Sequence, residues 1–257
     1  MSDTQQSLAL IERPAPLAAL VADAEVTAPK VARPKVSAEQ LGALQREISI
    51  SEFFTKNRHL LGFDNASRAL LTSIKEAVDN SLDACEEAGI LPNITVRIEQ
   101  ISESRYRMSV EDNGPGIIKS QLPKVFGKLL YGSKFHRLRQ ARGQQGIGIS
   151  AAVMYGQLTT GKPAVIVSKS EATKPAHRFH LTIDTRANKP LVAEARIESS
   201  ESWQAKTTGT SVSIEMEATY KGGKKSVDDF IQQVALANPH LRLEYFRPGK
   251  KPLVYPR

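Results

Sequence analysis

The sequence predicts an α+β fold, a two-layer sandwich with helices on one face of a mixed, mostly antiparallel sheet. Its candidate strands alternate apolar and polar residues, as in 94–99 (ITVRIE) and 106–111 (YRMSVE), which is typical of strands buried on one face only. Helix and strand patterns also come in blocks, which disfavours the strict alternation of a doubly wound parallel sheet. We find no internal repeat.

The size and composition of the chain exclude several classes of protein. Its 257 residues allow one substantial core, or one domain with tails. The single cysteine, Cys85, excludes an internal disulfide and indicates a reducing compartment. No apolar run approaches the roughly 18 residues that span a bilayer, and the first ten residues lack the features of a secretory signal. We expect a soluble intracellular protein with no membrane partner.

The first 45 residues are rich in Ala, Pro, Val and Lys, and prolines interrupt any helix there. We predict a disordered N-terminal arm over 1–45 and a folded domain over 46–257. At the start of that domain Ile48 alternates with Ile50, which predicts a short strand running into a helix that begins at Ser51.

A helix is predicted from about Ala66 to Glu87, because apolar residues recur at helical spacing and Gly89 and Pro92 follow. Its polar residues gather opposite the apolar stripe. The stripe is Leu71, Ile74, Val78, Leu82 and Cys85, and the opposite set is Glu76, Asn80 and Asp83. A solvated polar face is the ordinary explanation. The alternative is chemical, since a carboxylate can orient a water and an Asn carbonyl can complete the shell of Mg²⁺.

The rest of the chain continues the same pattern. We predict helices over 119–130, 147–155 and 227–237, and a long basic loop over 131–146. Four more strands are predicted, over 164–169 (AVIVSK), 178–184 (RFHLTID), 191–198 (LVAEARIE) and 210–217 (TSVSIEME).

Residues 111–116 (EDNGPG) directly follow a predicted strand. By residue type alone they are an ordinary turn. The functional alternative is that Asp112 accepts a hydrogen bond from an exocyclic amine, while Gly114 and Gly116 let a flat ring approach the backbone.

Three glycines, Gly143, Gly146 and Gly148, lead straight into a predicted helix, where free N–H groups favour phosphate. The spacing matches neither a P-loop nor a dinucleotide fingerprint, and a flexible loop is the alternative. Residues 113–170 contain nine Lys and Arg and no acid. The positive charge of this segment alone exceeds the net charge of the whole chain, which is +8. We interpret this segment as one that meets an anion, and a solvated basic surface remains the alternative.

The order of these motifs resembles the Bergerat-type ATP-binding fold shared by gyrase, Hsp90, histidine kinases and MutL. The resembling features are Glu-x-x-x-Asn on a helix, Asp-x-Gly-x-Gly after a strand, the glycine loop after a basic lid, and Gly-Thr-x-Val at 209–212. Within that superfamily, residues 48–64, 75–92 and 131–163 resemble the B subunits of DNA topoisomerase VI, and the likeness runs from about Glu47 to the end. A MutL-type protein would carry Gly-Phe-Arg-Gly-Glu-Ala in place of 142–148 (RGQQGIG), and a histidine kinase would need an upstream phospho-acceptor helix.

The resemblance implies roles for individual residues. Glu76 would be the general base that activates water, Asn80 would hold Mg²⁺ on the phosphates, and Asp112 would read the adenine amino group, helped by Thr210. Asp83 would be structural or would support the residues that contact the ligand. The lid and the glycine loop would contact the nucleotide through Ser133, Lys134, Arg142, Gly143, Gln144, Gln145, Gly146, Ile147, Gly148 and Ile149.

The resemblance also implies partners and a cellular setting. ATP would close two B subunits into a homodimer, with 47–54 reaching across to the second copy; the alternative is a strand docked on its own domain. The dimer would gate passage of one DNA duplex through a break made by the A subunit of an A2B2 heterotetramer, relaxing and decatenating DNA. Such a protein would be cytoplasmic and associated with the nucleoid.

The sequence departs from the family because the small helical domain and the transducer domain, which supplies a lysine to the γ-phosphate, do not appear in it. We therefore expect a truncated product or a naturally short relative, in which ATP binding is retained and hydrolysis by this chain alone is in doubt. A MutL-like repair ATPase and a non-catalytic dimerisation module are the alternative functions.

Overall fold

The structure is a computed structural model that describes Ser37 and residues 48–131 and 147–257. The chain divides into two units, residues 1–46 and 47–257. The second unit contains all the helices and strands described, and the predicted arm over 1–45 lies outside the described residues apart from Ser37.

Eight described strands form one sheet in the order β5-β4-β3-β6-β2-β1-β7-β8. Neighbouring strands are antiparallel except for the parallel pair β1 and β7. The sheet is therefore mixed and mostly antiparallel, as predicted. Its strands are β1 (Asn93–Gln100), β2 (Arg105–Glu111), β3 (Ala164–Lys169), β4 (Ala176–Asp184), β5 (Lys189–Glu198), β6 (Gly209–Glu217), β7 (Arg242–Phe246) and β8 (Leu253–Tyr255).

The described helices are α1 (Ile50–Leu61), α2 (Ala66–Glu87), α3 (Leu122–Gly127), α4 (Gly148–Thr160), α5 (Glu201–Gln204) and α6 (Val227–Ala237). The two ends of α2 are as predicted. Asn65 begins it by accepting a hydrogen bond from the Arg68 N–H, which satisfies one of the free donors of the first turn. In the described parts of the chain, no helix is both long and apolar enough to cross a membrane.

One face of the sheet is buried under helices, which confirms the predicted fold class. Alternate residues of the central strands, such as Val96, Met108 and Ile214, pack with α2 and α4 in a single apolar cluster. The opposite face is polar over most of its width, and Arg107 lies there between Glu99 and Glu215. The short helix α5 does not pack on the main apolar cluster. Its Trp203 forms a separate small cluster with Val167 and Ala176.

The predicted strand at Ile48 is wrong. Ser49 accepts a hydrogen bond from the Glu52 N–H, and the helix begins at Ile50. The Ser-x-x-Glu spacing of Ser49 and Glu52 is the sequence signature of a helix start, and it outweighs an alternation of only two isoleucines. The Ile50 N–H donates to the Thr185 carbonyl, so this segment contacts its own domain.

The predicted helix over 119–130 is also shorter than expected, since only Leu122–Gly127 is helical. Pro123 has no N–H and suits the first turn of a helix, and Lys128 is extended, with φ −133° and ψ 124°, which ends the helix. We did not predict α5, β7 or β8. The alternation in 242–246 (RLEYF) indicates β7, but five residues give a weak signal.

Candidate nucleotide-binding site

Asp112 is fixed where β2 ends, between the sheet and α2. Its backbone N–H donates to the Thr210 carbonyl at 2.8 Å, which ties it to the start of β6. Its Oδ1 accepts from the N–H groups of Gly114 at 2.9 Å and Thr210 at 3.1 Å. Its Oδ2 accepts from the Ser81 hydroxyl of α2 at 2.9 Å. The carboxylate thus joins three separate segments of the chain.

The surroundings of Asp112 suit a hydrogen-bond acceptor. The side chain is only 6% exposed, and this burial raises the pKa of its carboxyl above the ordinary value. Three donors oppose that shift, because hydrogen bonds to a carboxylate stabilise its charged form. A carboxylate has about four acceptor positions, so one remains for a further donor such as an amine.

The turn after Asp112 needs glycine for the protein's own packing. Gly116 has a φ of +72°, and a Cβ built there would lie 2.0 Å from the Lys169 carbonyl oxygen. A Cβ on Gly114 would lie 3.0 Å from Asp112 Oδ1 and 3.4 Å from Cys85 Sγ. That these glycines admit a flat ring stays a prediction, and packing alone is enough to require Gly116.

Ser168, on β3, lies behind this turn and was not predicted. It accepts a hydrogen bond from the Ile117 N–H at 2.8 Å, and its hydroxyl is 3.1 Å from the Gly209 carbonyl and 3.0 Å from Thr210 Oγ1. A Cβ on Gly209 would lie 2.4 Å from the Asp112 carbonyl oxygen, so the start of β6 closely approaches the turn that follows β2. We call Ser81, Asp112, Ser168 and Thr210 the sheet end of the site.

Glu76 and Gly148 lie against each other where α2 meets the first turn of α4. A Cβ built on Gly148 would lie 1.8 Å from Glu76 Oε2, so a side chain there would displace the carboxylate. Asn80 is one turn further along α2, and both it and Glu76 are half-buried. We call Glu76, Asn80 and Gly148 the helix end of the site.

The polar face of α2 is partly covered, since Asp83 is 7% exposed while Glu76 and Asn80 are half-buried. Asp79, one turn before Asp83, is also buried. Ser81 lies five positions after Glu76, which is about 7.5 Å along an α-helix, so α2 carries groups of both ends within a short distance. This partial burial favours the chemical interpretation of the three polar residues over a fully solvated face.

The glycine loop is only partly described. Ile147 is the residue before α4, and Gly148 and Ile149 begin the helix, where the first N–H groups have no partner within the helix and favour an anion. The other predicted contacts lie outside the described residues: Ser133, Lys134, Arg142, Gly143, Gln144, Gln145 and Gly146. Residues 48–131 and 147–257 contain no group of three or more His, Cys, Asp or Glu that could hold a metal ion.

Two residues of the sheet end escaped the sequence analysis, and each had a weak signal. Ser81 directly follows Asn80 in the sequence, and its hydroxyl donates to Asp112. Ser168 is a polar residue in the apolar run 164–169, at a position whose alternation predicts burial. A buried polar residue in a strand needs a partner, and here that partner belongs to the site.

Comparison with known proteins agrees with the motifs. The sequence profile of the histidine kinase-, DNA gyrase B- and HSP90-like ATPase family matches residues 65–220, well over half of the chain. This match extends from the start of α2 to just beyond β6, and so contains both ends of the site.

Curated relatives are similar over most of the chain. The B subunit of type 2 DNA topoisomerase 6 from Methanosarcina barkeri is 51% identical over 221 residues, which is 86% of this chain and 35% of the relative. The protein of the same name from Natronomonas pharaonis is 54% identical, over 82% of this chain and 26% of the relative. That from Archaeoglobus fulgidus is 51% identical, over 79% of this chain and 33% of the relative. The predicted resemblance is confirmed, and the chain spans about a third of the length of these relatives.

Proposed function

The chain belongs to the histidine kinase-, DNA gyrase B- and HSP90-like ATPase family, and we propose that it is the ATP-binding part of a type IIB topoisomerase B subunit. In this proposal ATP closes two copies of the chain into a clamp that gates the passage of one DNA duplex. A partner A subunit makes the double-strand break, so no cleaving residue belongs to this chain. Together they relax and decatenate DNA.

The observation that carries the proposal is the arrangement of Asp112. A buried carboxylate held by two backbone N–H groups and the Ser81 hydroxyl is an acceptor in a fixed position. An adenine amino group is the complementary donor. Thr210, whose N–H donates to the same carboxylate, lies next to it and supports the recognition of the base.

Glu76 is the proposed general base. Its carboxylate lies against the first turn of α4, where helix N–H groups favour phosphate, so it faces the place where a triphosphate would bind. A carboxylate in that position can orient and deprotonate a water for attack on the terminal phosphate.

Asn80 is the proposed protein ligand of Mg²⁺. The ion prefers oxygen, keeps several waters, and is usually held by one or two protein groups together with substrate phosphates. An Asn carbonyl one turn from Glu76 fits that requirement without a cage of acids. When bound, the ion would neutralise phosphate charge; binding by Asn80 and orientation of water by Glu76 remain the tasks of this chain.

Two basic loops support DNA as a partner. They are 221–225 (KGGKK) and 247–251 (RPGKK), and they are neighbours because a Cβ built on Gly222 would lie 3.7 Å from Lys250 Nζ. Tyr220 and Tyr245 both donate to Asp228 Oδ1, at 2.7 and 2.8 Å, which holds the loops together. If Lys224 and Lys225 neutralise DNA phosphates, replacing both with Ala should make the slope of log K for duplex binding against log[salt] less steep. The expected change is about 0.9 for each phosphate that is no longer neutralised.

The two alternative functions make different predictions. A MutL-like repair ATPase is disfavoured by the glycine loop and by relatives that are 50–54% identical and named as topoisomerase subunits. A non-catalytic dimerisation module is disfavoured by the presence of Glu76, Asn80 and Asp112. ATPase assays on the chain joined to the remaining domains of a relative distinguish the two functions. Turnover is expected for the proposed ATPase and none for a dimerisation module.

Light scattering during addition of a non-hydrolysable ATP analogue with Mg²⁺ tests the proposal. A shift of the mass from monomer to dimer, with saturable binding, is the expected result. Binding without dimerisation would restrict the proposal to the pocket and assign closure to domains outside this chain. Absence of binding would contradict the proposal altogether.

A further inference from the structure

The connections between strands at the end of the sheet away from Asp112 and Thr210 form a surface of their own. Strand β3 is antiparallel to β4 and β6, β2 is antiparallel to β6 and β1, and β7 is parallel to β1. Strands β1, β4, β6 and β7 therefore all end on the side where β3 begins. We call the connections on that side the basic rim: 101–104, 161–163, 184–189, 218–226 and 247–252.

Hydrogen bonds join the parts of the basic rim. The Gln157 side chain bonds to both the N–H and the carbonyl of Ile183, which ties the end of α4 to the end of β4. Thr159 Oγ1 accepts from the Glu217 N–H at 3.2 Å, which ties the same end of α4 to the end of β6. The two basic loops that follow β6 and β7 are neighbours of each other. The rim is therefore one continuous surface across the sheet.

The charge of the folded domain differs sharply between the two ends of the sheet. The basic rim contains nine Lys and Arg and two acids. The described connections at the opposite end contain three Lys and three acids; they are 88–92, 112–121, 170–175, 199–208 and 238–241. A surface on which one sign of charge dominates attracts a polyanion, so the rim is the electrostatic footprint of the domain.

Three cations of the basic rim lie away from the two basic loops. Lys162 precedes β3, Arg186 and Lys189 belong to the β4–β5 turn, and all three are exposed. The acid of this turn, Asp184, accepts hydrogen bonds from the N–H groups of Arg186 and Ala187 at 2.9 and 3.0 Å. These bonds fix the backbone of the turn. The turn is thus a fixed support that carries exposed cations.

The width of the basic rim suits a DNA duplex. The β4–β5 turn and the β7–β8 turn lie at opposite edges of the eight-stranded sheet, about 30 Å apart at about 4.8 Å per strand. One helical turn of B-DNA is about 34 Å long. A backbone strand returns to the same side of the duplex after one turn, so phosphates of one duplex can face both edges of the rim.

We propose that one DNA duplex lies along the basic rim, so that Lys162, Arg186 and Lys189 bind phosphates of the same duplex that the two basic loops contact. The inference rests on the proposed binding of DNA and extends its surface across the sheet. Each Lys or Arg that neutralises a phosphate releases a counterion, which adds to affinity and to its salt dependence. Phosphate contacts carry no sequence information, so the rim binds duplexes of any sequence.

The test measures binding of the 257-residue chain to a fluorescent duplex at several salt concentrations. Arg186→Ala with Lys189→Ala should make the slope of log K against log[salt] less steep by about 1.8, and adding Lys162→Ala by about 0.9 more, since each lost phosphate contact contributes about 0.9. The matched control is Lys119→Ala with Lys174→Ala, which removes two exposed lysines at the opposite end. Its slope should equal that of the wild type.

A second measurement shows whether one duplex meets both edges of the basic rim. With DNA of about 12 base pairs, little more than one helical turn, the stoichiometry should be one duplex per chain. Lys224→Ala with Lys225→Ala should lower the slope of that same binding event, and its effect should add to that of Arg186→Ala with Lys189→Ala. Two duplexes per chain would show two separate sites and overturn the proposal.

The outcomes separate this inference from the function on which it rests. A slope that falls in Lys224→Ala with Lys225→Ala but not in Arg186→Ala with Lys189→Ala would overturn the inference and leave DNA binding intact. An equal fall in the control would also overturn it, because net charge alone would then explain the result. Lys162→Ala alone tests another connection should the turn variant not fold. A wild type that binds no duplex at low salt contradicts DNA as a partner, and the inference fails with it.

Discussion

The sheet end and the helix end of the site are held by different kinds of contact. At the sheet end, Asp112 is bound by backbone N–H groups, and a Cβ on Gly116 or Gly209 would meet a backbone carbonyl. At the helix end, a Cβ on Gly148 would meet the carboxylate of Glu76, which is the tip of a flexible side chain. The first arrangement cannot adjust without moving strands, whereas the second can adjust by rotating one side chain.

This difference predicts how substitutions act. Changes at the sheet end should alter the stability of the fold and the affinity for the base together, because in the proposed site the same hydrogen bonds would serve both. Changes at the helix end should alter chemistry with little effect on stability. The following predictions test that separation, beginning with the largest expected effect.

Glu76→Ala should reduce ATP turnover by roughly 10²- to 10⁴-fold, the usual contribution of a general base, while nucleotide binding is retained. Turnover is measured by phosphate release in this chain fused to the remaining sequence of the Methanosarcina barkeri relative. Glu87→Ala, at the exposed end of the same helix, is the control and should leave the rate unchanged. Normal turnover in Glu76→Ala would remove this residue from the mechanism.

Asp112→Asn should weaken ATP binding by about 10- to 100-fold, because a hydrogen bond to a charged acceptor is lost and an amide N–H₂ now faces donors. Calorimetry gives the affinity, and thermal unfolding should show a lower melting temperature as well. Glu111→Gln is the matched control. Glu111 is the preceding residue but pairs with Lys206 at 2.9 Å, so the affinity of this variant for ATP should match the wild type.

Two glycine substitutions compare the ends directly. Gly116→Ala should lower the free energy of unfolding by about 1–3 kcal/mol, since its φ of +72° and the nearby Lys169 carbonyl both oppose a Cβ. Gly148→Ala should change stability by less than about 1 kcal/mol, since alanine favours a helix, and should instead slow turnover by displacing Glu76. Denaturant unfolding and phosphate release check the pair; a reversal of the two patterns would contradict the separation.

The smallest effect concerns Cys85, which lies behind the sheet end. Burial, followed by the charge of Asp112, raises the pKa of its thiol from 9.0 to about 12. Between these values the folded chain holds a proton that the unfolded chain releases, so the free energy of unfolding should fall as pH rises above 9. Denaturant unfolding between pH 8 and 10.5 should show that Cys85→Ala loses less stability than the wild type as pH rises. Equal slopes of the free energy of unfolding against pH would show that the thiol plays no part.

How much the sequence could predict differs between the two ends. Helix α2 and the shared face of Glu76 and Asn80 follow from local spacing, because three or four residues define a turn. The contact of Asp112 with Thr210 joins residues 98 apart and depends on the register of β2 and β6. Periodicity indicates which residues face the core but not which strands pair, so the resemblance to a family, and not the spacing, suggested that Asp112 and Thr210 act together.

The start of α1 shows what local signals can predict. The Ser-x-x-Glu signal at Ser49 is local and readable in the sequence, and it predicts the observed start of α1 better than the alternation of two isoleucines does. Ser168 could not be found in this way because its partners come from two distant segments, the turn at Ile117 and the start of β6 at Gly209 and Thr210, which only the folded sheet brings together. Local signals define elements well, while buried polar contacts emerge only from topology.

The most direct test of the proposed site is a calorimetric titration of a non-hydrolysable ATP analogue with Mg²⁺ into three proteins: the wild type, Asp112→Asn and Glu76→Ala. We predict saturable binding by the wild type and by Glu76→Ala, and much weaker binding by Asp112→Asn. Equal affinity of all three would contradict the assignment of the sheet end to the base. Loss of binding in Glu76→Ala, with binding retained in Asp112→Asn, would contradict the division of the site into two ends.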